Sequence, residues 1–278
     1  RHWSVAIAST GAAAPVPWQA FQVIVAPDRM WHADPFLYRH PVTGIAYCFV
    51  EEFDQAAGRA HISVLEQSGA GWRRLGVAIR EPFHMSFPYV FEYEGKVYMC
   101  PETSEARCIS VYRCEAFPLE WVHAATLMTG VSAVDTVIFK RGQWWWMLSN
   151  IDYAPNPDHQ SELHAFYADS PLSDRWRPVP GNPVTVDCHG ARNGGLSVEG
   201  STVRRTGQVQ SFEMYGKEVN LYEITRLDQG GFNEQCIGRI RPPAGVGAVG
   251  IHTYSSASDL VAVDLVGNYD TTSDGRVR

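Results

Sequence analysis

Ala33-Asp34-Pro35-Phe36-Leu37-Tyr38, a turn at Gly44, and then Ala46-Tyr47-Cys48-Phe49-Val50-Glu51-Glu52 form the stretch that decides the fold, because its plan returns twice. The second copy is Ser86-Phe87-Pro88-Tyr89-Val90-Phe91, Glu94-Gly95, Val97-Tyr98-Met99-Cys100-Pro101-Glu102. The third is Val134-Asp135-Thr136-Val137-Ile138-Phe139, Gly142, Trp144-Trp145-Trp146-Met147-Leu148-Ser149. Each copy has the aromatic and β-branched residues that favour strands, broken by a glycine turn. Pro35 and Pro88 stand 53 residues apart, and Pro88 and Thr136 stand 48 apart. That period suits one four-stranded propeller blade per repeat.

The outer strands of each blade are also legible. His61-Ile62-Ser63-Val64-Leu65 precedes Trp72, Ile109-Ser110-Val111-Tyr112-Arg113 precedes Trp121, and Leu163-His164-Ala165-Phe166-Tyr167 precedes Trp176. Each reads as a third strand, a turn and a Trp opening the fourth strand. A fourth unit is expected from Gly200-Ser201-Thr202-Val203 with Glu218 to Ile224, and a fifth from Val249 to Tyr254 with Leu260 to Leu265. Trp3 to Ala8 reads as a strand that closes the last blade and removes an exposed edge. No segment sustains a helical period, which disfavours an α/β fold. A pair of β-sandwiches is the rival, but it does not account for a recurring blade start. The expectation is an all-β chain, one five-bladed β-propeller over residues 1–278, with residues 1–10 closing the last blade.

Composition narrows the function. The chain has 278 residues, a formal charge of −7 and 23 basic residues with no basic cluster among its aromatics, which excludes nucleic acid as the expected partner. No run approaches the roughly 18 apolar residues of a membrane helix, so no transmembrane segment is expected. The start Arg1-His2-Trp3-Ser4 carries neither an initiator Met nor a signal-peptide pattern and reads as trimmed or excised. The six cysteines show no CxxC pair, and several sit in strand-like runs such as Tyr47-Cys48-Phe49, where they read as small buried thiols; a reducing, cytoplasmic setting is expected.

In a propeller the inner strand of each blade lines the central channel, so residues at equivalent blade starts converge although they lie about fifty residues apart in sequence. Superimposing the units sets Asp34 with Phe87 and Asp135, and Glu51 with Glu102 and Ser149. Strand alternation sends only one of Glu51 and Glu52 inward, and the match with Glu102 selects Glu51. Convergent carboxyls held at different pKa values are the apparatus of glycosyl transfer and cleavage, one serving as base or nucleophile and another as acid. The bland alternative is that these acids cap turns. His32, His84 and His252 recur near blade starts and suggest a polar mouth for binding substrate hydroxyls or phosphate. Arg192 is a candidate clamp for an anionic group. No HxH or HExxH spacing is present, so no metal is expected, and no cofactor is implied. The Trp144-Trp145-Trp146 run reads as core rather than as a sugar platform, while Phe36, Phe53 and Tyr153 near the mouth remain open.

The run from His32 to Asp54 with Gly58-Arg59-Ala60-His61-Ile62, together with Glu81-Pro82-Phe83-His84-Met85-Ser86-Phe87-Pro88, Pro101-Glu102-Thr103-Ser104 and Ala133-Val134-Asp135-Thr136, resembles the N-terminal domain of glucosamine inositolphosphorylceramide transferases and its bacterial relatives. Arg205-Thr206-Gly207-Gln208, Tyr215-Gly216 and Gly250-Ile251-His252-Thr253 extend the resemblance along nearly the whole chain. It implies a five-bladed propeller similar to arabinanase- and invertase-type glycoside hydrolases, associated with polysaccharide or glycoconjugate biosynthesis and with a fused or separate transferase. By that analogy Asp34 is the base, and Asp135 and Glu102 are the pKa-tuning acid and the general acid. Those hydrolases carry an acid at the second blade start, where this chain has Phe87.

The leading expectation is therefore a carbohydrate-active propeller that transfers or cleaves a glycosyl group of a cell-surface glycan or glycolipid. The alternative is a non-catalytic glycan or nucleotide-sugar binding module that assists a partner transferase. A scaffold for protein partners is a third reading, and it predicts a dry, apolar channel mouth.

Overall fold

The computed structural model describes residues 2–10, 16–69, 71–153, 159–210, 215–242, 247–267 and 275–276. Among them the regular elements are strands and two short 3-10 turns, with no α-helix. The strands form five antiparallel sheets, one per blade of a five-bladed propeller. Blade one runs outward through Met30–Arg39, Ala46–Asp54, Arg59–Ser68 and Gly71–Ile79, and blade two through Ser86–Tyr93, Lys96–Glu102, Cys108–Ala116 and Glu120–Thr129. Blade three is Ser132–Arg141, Trp144–Asp152, Glu162–Ala168 and Arg177–Pro178; blade four is Asn193–Glu199, Thr202–Val209, Glu218–Asp228 and Gly231–Ile240.

Blade five is built from both ends of the chain. Leu260–Gly267 pairs on one side with Ala248–Gly250 and Tyr254–Ala257, and on the other with Trp3–Ser9. The latter pairing runs unbroken from Trp3 opposite Val266 to Ser9 opposite Leu260, with Val5 and Ala6 fully buried. The N-terminal strand therefore supplies a ladder that would otherwise be an open edge.

A shared irregularity positions the site. In blades one, two and three the inner strand slips register against its neighbour between Ala33 and Phe36, Ser86 and Tyr89, and Val134 and Val137. The residue at each bulge is left-handed: Asp34 at φ 48°, Phe87 at 44° and Asp135 at 51°. Bulges re-aim a side chain out of the pleat. Asp tolerates this conformation through local hydrogen bonding, whereas Phe does so only when its surroundings over-determine it. Phe87 is buried within the largest apolar cluster. The equivalent slip in blade four lies between Asn193 and Gly195. A Cβ on Gly195 would meet the Tyr254 carbonyl oxygen at 2.1 Å, so blades four and five approach too closely there for a side chain.

The register corrects one superposition. Glu51 stands opposite Ala33 and Glu102 opposite Ser86, and the residue opposite Val134 is Asn150, not Ser149. A one-residue slip turns a side chain to the other face. Ser149 is fully buried and hydrogen-bonds Thr136 at 2.7 Å.

Packing between blades is aromatic. Trp145 meets Phe91 and Tyr93 of blade two at ring-centroid distances of 6.0 and 5.4 Å, while Trp144 and Trp146 face Tyr167 within their own blade. The tryptophan run is core, and its alternation knits blade three to blade two. All six cysteines are free thiols.

Candidate functional site

The three bulges and the blade-five strand converge on one group of charged side chains. Asp34 accepts the Phe87 backbone N–H at 3.1 Å, so the blade-two start contributes an amide donor where an acid was the alternative. The other Asp34 oxygen lies 3.1 Å from Nε2 of His252. The opposite side of that ring faces Asp264, with Nδ1 2.8 Å from the carboxylate. Asp264 is further held by the backbone N–H groups of His252 and Thr253, at 2.9 and 3.0 Å, and by the Thr253 hydroxyl at 2.6 Å. Burial works against charge on His252, but Asp264 and Asp34 overcome it and push the imidazole up to about 10. Burial also works against the Asp264 charge, and the imidazolium and its hydrogen bonds outweigh that and hold it below the usual carboxylate range.

Glu51, placed by the second strand of blade one, lies beside Asp34. Burial, then the Asp34 charge, raises its carboxyl well above the ordinary value, against the pull of His252. Glu102 occupies the same place in blade two. Burial first and Asp135 second push it up to about 7, against the pull of Arg192 and of the Ser104 hydroxyl that donates to it at 2.7 Å. Asp135 is raised by burial and held back by Arg192, whose Nε donates to it at 2.6 Å. Gln208 adds a second donor to the same oxygen at 3.0 Å, and Asn193 ties the Asp135 carbonyl at 2.8 Å. Tyr215 lies beneath the Arg192 guanidinium at 5.1 Å and 5.2 Å from the His252 ring, which Trp3 flanks at 4.1 Å.

Of the residues expected from the sequence, Asp34, Glu51, Glu102, Asp135, Arg192 and His252 come together. His84 reaches the edge of the group, 3.5 Å from Glu51, with burial lowering its pKa. His32 does not join them. It is 1% exposed and bonds Glu52 at 2.9 Å on the opposite face of the strand, away from the channel mouth. There Glu52 also takes His61 at 3.0 Å, Ser63 at 2.9 Å and both donors of Arg74 at 2.7 and 2.6 Å. Burial alone would raise Glu52, and these partners reverse that and hold it far below the carboxylate range. This network takes up the face that alternation denied to substrate.

Asp264, Asn193, Gln208 and Trp3 were not foreseen. Asp264 carried a signal: it is the one acid inside the apolar run Leu260 to Val266, and an acid in a buried strand needs a partner. Oxygen and nitrogen atoms of Asp34, His252 and Asp264 lie within 4.8 Å of one another, close enough to hold a cation. Protonation of His252 and metal ligation by it are mutually exclusive, because a protonated imidazole has no lone pair for a metal. A second mixed cluster among the described residues, Asp187, Cys188 and His189, lies exposed at the surface.

Residues 4–240 match the family described as glucosamine inositolphosphorylceramide transferase 1, N-terminal. Glucosamine inositolphosphorylceramide transferase 1 of Oryza sativa subsp. japonica is 32% identical over 205 residues, which is 73% of this chain and 27% of the relative. The chain thus spans about a quarter of the length of the curated relatives it matches. Among solved structures, Zg3597, a family 117 glycoside hydrolase of Zobellia galactanivorans, superimposes with a TM-score of 0.57 at 13% identity, covering 85% of each chain. An exo-beta-1,3-galactanase of Phanerochaete chrysosporium, solved with beta-1,3-galactotriose, gives 0.57 at 14% identity over 89% of this chain and 57% of its own. Identities this low speak for the fold, a glycoside-hydrolase-type propeller.

Proposed function

The chain belongs to the glucosamine inositolphosphorylceramide transferase 1 N-terminal family, and from that premise we propose that its acid cluster binds a glycan or glycoconjugate and transfers or cleaves a glycosyl group. The observation that carries this is Glu102, a partly buried carboxyl pushed up to about 7 beside an Asp135 that Arg192 holds back. A general acid is most effective with a pKa near the working pH, and divergent environments within one carboxyl group are how a site assigns acid and base. Glu102 gives its proton to the departing glycosidic oxygen as the C1–O bond breaks. Asp34 takes the proton of the water or acceptor hydroxyl whose oxygen bonds C1. Arg192 holds the Asp135 charge in place, so Asp135 sets how firmly Glu102 keeps its proton. Glu51 and His252 position Asp34 from two sides.

A second reading, a binding module that presents a glycan to a transferase, is favoured by one observation. The blade-two start, where the resembling hydrolases carry an acid, holds Phe87 and offers only its backbone N–H. One experiment separates the readings. A panel of methyl glycosides, disaccharides and trisaccharides of galactose, xylose, arabinose and glucosamine is screened for binding and turnover with wild type, Asp34→Asn and Glu102→Gln. Turnover lost in both variants with binding retained supports catalysis. Binding without turnover in wild type, unchanged in Asp34→Asn, supports the module. A wild type that binds nothing on the panel overturns both.

A further inference from the structure

Two rings at the rim of blade one are unused by the core. Trp31 and Phe53 face each other across the first two strands and stack with centroids 4.7 Å apart and planes 9° from parallel. Both are half-buried, and neither packs against any apolar cluster among the described residues. Large aromatics normally contribute most of their stabilisation by joining such clusters. Side chains alternate along a strand, so Phe53 shares a face with Glu51, and Trp31 with Ala33 opposite Glu51. The rings therefore stand one step outward from the acid cluster on the same face, roughly 6.8 Å along the strand, about the reach of one sugar residue. His84 links the two levels: its ring is 6.3 Å from Phe53, and its Nε2 is 3.5 Å from Glu51. The His84 backbone is fixed by Glu105, which accepts its N–H at 2.6 Å.

We propose that Trp31 and Phe53, with His84 at their foot, form a second sugar subsite, so that the ligand of the acid cluster is an oligosaccharide whose next ring stacks on this platform. The inference rests on the carbohydrate reading of the acid cluster and adds the length of the ligand and the direction in which it leaves. The apolar face of a pyranose suits a flat aromatic surface, and the polar tips of Trp and His remain available to its hydroxyls. The acid cluster takes the terminal residue, and the chain exits over blade one.

The test uses the same sugar panel, read by intrinsic tryptophan fluorescence and calorimetry on wild type, Trp31→Ala and Phe53→Leu. Trisaccharides are expected to bind wild type more tightly than the matching methyl glycoside. Either substitution is expected to weaken trisaccharide binding roughly three- to tenfold while leaving the methyl glycoside unchanged. Thermal melts establish that the variants are folded, and Phe53→Leu, which keeps an apolar side chain, stands in if Trp31→Ala does not fold. Equal affinity for methyl glycoside and trisaccharide, or trisaccharide binding unchanged in folded variants, overturns the subsite and leaves the acid-cluster reading intact. Failure of wild type to bind any panel sugar overturns both.

Discussion

Glu102 and His252 carry charge states that solution measurements can read. The Glu102 carboxyl sits at about 7 in the fold against an ordinary 4.5. Between those values the folded chain keeps a proton that the unfolded chain has lost, so stability is present below about pH 4.5 and declines as pH rises through 7. Glu102→Gln is expected to remove that decline, worth up to about 3 kcal/mol across the window, as seen in urea melts of the two proteins at pH 5 and pH 8. If Glu102 is the acid, turnover falls over the same limb. His252 follows the same sign at higher pH. Its folded value is raised to about 10, so its contribution is complete below about 6.5 and is lost as pH climbs through 10. His252→Gln leaves Asp264 buried without its cation, an outcome expected to cost about 3–5 kcal/mol in the same melts at neutral pH. Asp34 and Asp135 were legible as single residues because the repeat brought them into register. Asp264 was marked only by being an acid in an apolar strand; the fifth unit is too short for the repeat to set it beside Asp34 and His252. Gln208 and Asn193 belong to blade four, where the repeat loosens, and nothing in their spacing marks them as donors to Asp135.

At the scale of the element, the bulge matters more than the strand that carries it. Three blades place a left-handed residue at one position, and the side chain there decides what each blade offers: a carboxylate, an aromatic ring with a backbone donor, or a carboxylate. Periodicity alone reveals the strands, since alternation and turns suffice, but the bulge residue looks like any other strand residue in sequence. Spacing alone aligns the third blade on Ser149, whereas Asn150 holds the position opposite Val134. Alternation separates Glu51 from Glu52 but does not reveal the ion network on the Glu52 face. Those partners come from two further strands and the Arg74 edge. In blade four the bulge requires glycine. Gly195→Ala is expected to destabilise the fold by at least about 2 kcal/mol, because its Cβ would enter the Tyr254 carbonyl. Thermal denaturation of that variant beside the wild type measures the cost.

For the whole molecule, closure links the first residues to the channel. Trp3–Ser9 completes blade five, and the Trp3 ring also packs at a tilt against His252, so the N-terminal strand buttresses the same ring that the acids charge. Removing residues 2–9 is expected to expose the Leu260–Gly267 edge, abolish a single cooperative melt and promote association, which scattering and calorimetry detect. Closure was readable from sequence because an apolar strand at one terminus lacked any partner nearby. The convergence of five blades on one charged group then follows from topology, and it turns residues about fifty positions apart into neighbours.

The most direct measurement is the site-specific titration of Glu102 in the intact chain, followed by carbon-13 NMR of glutamate carboxyls and assigned by loss of the signal in Glu102→Gln. A midpoint near 7 is expected, with a perturbation when Asp135 is replaced by Asn. A midpoint at the ordinary 4.5 would show that the cluster prepares no acid, and the catalytic role given to Glu102 would be wrong.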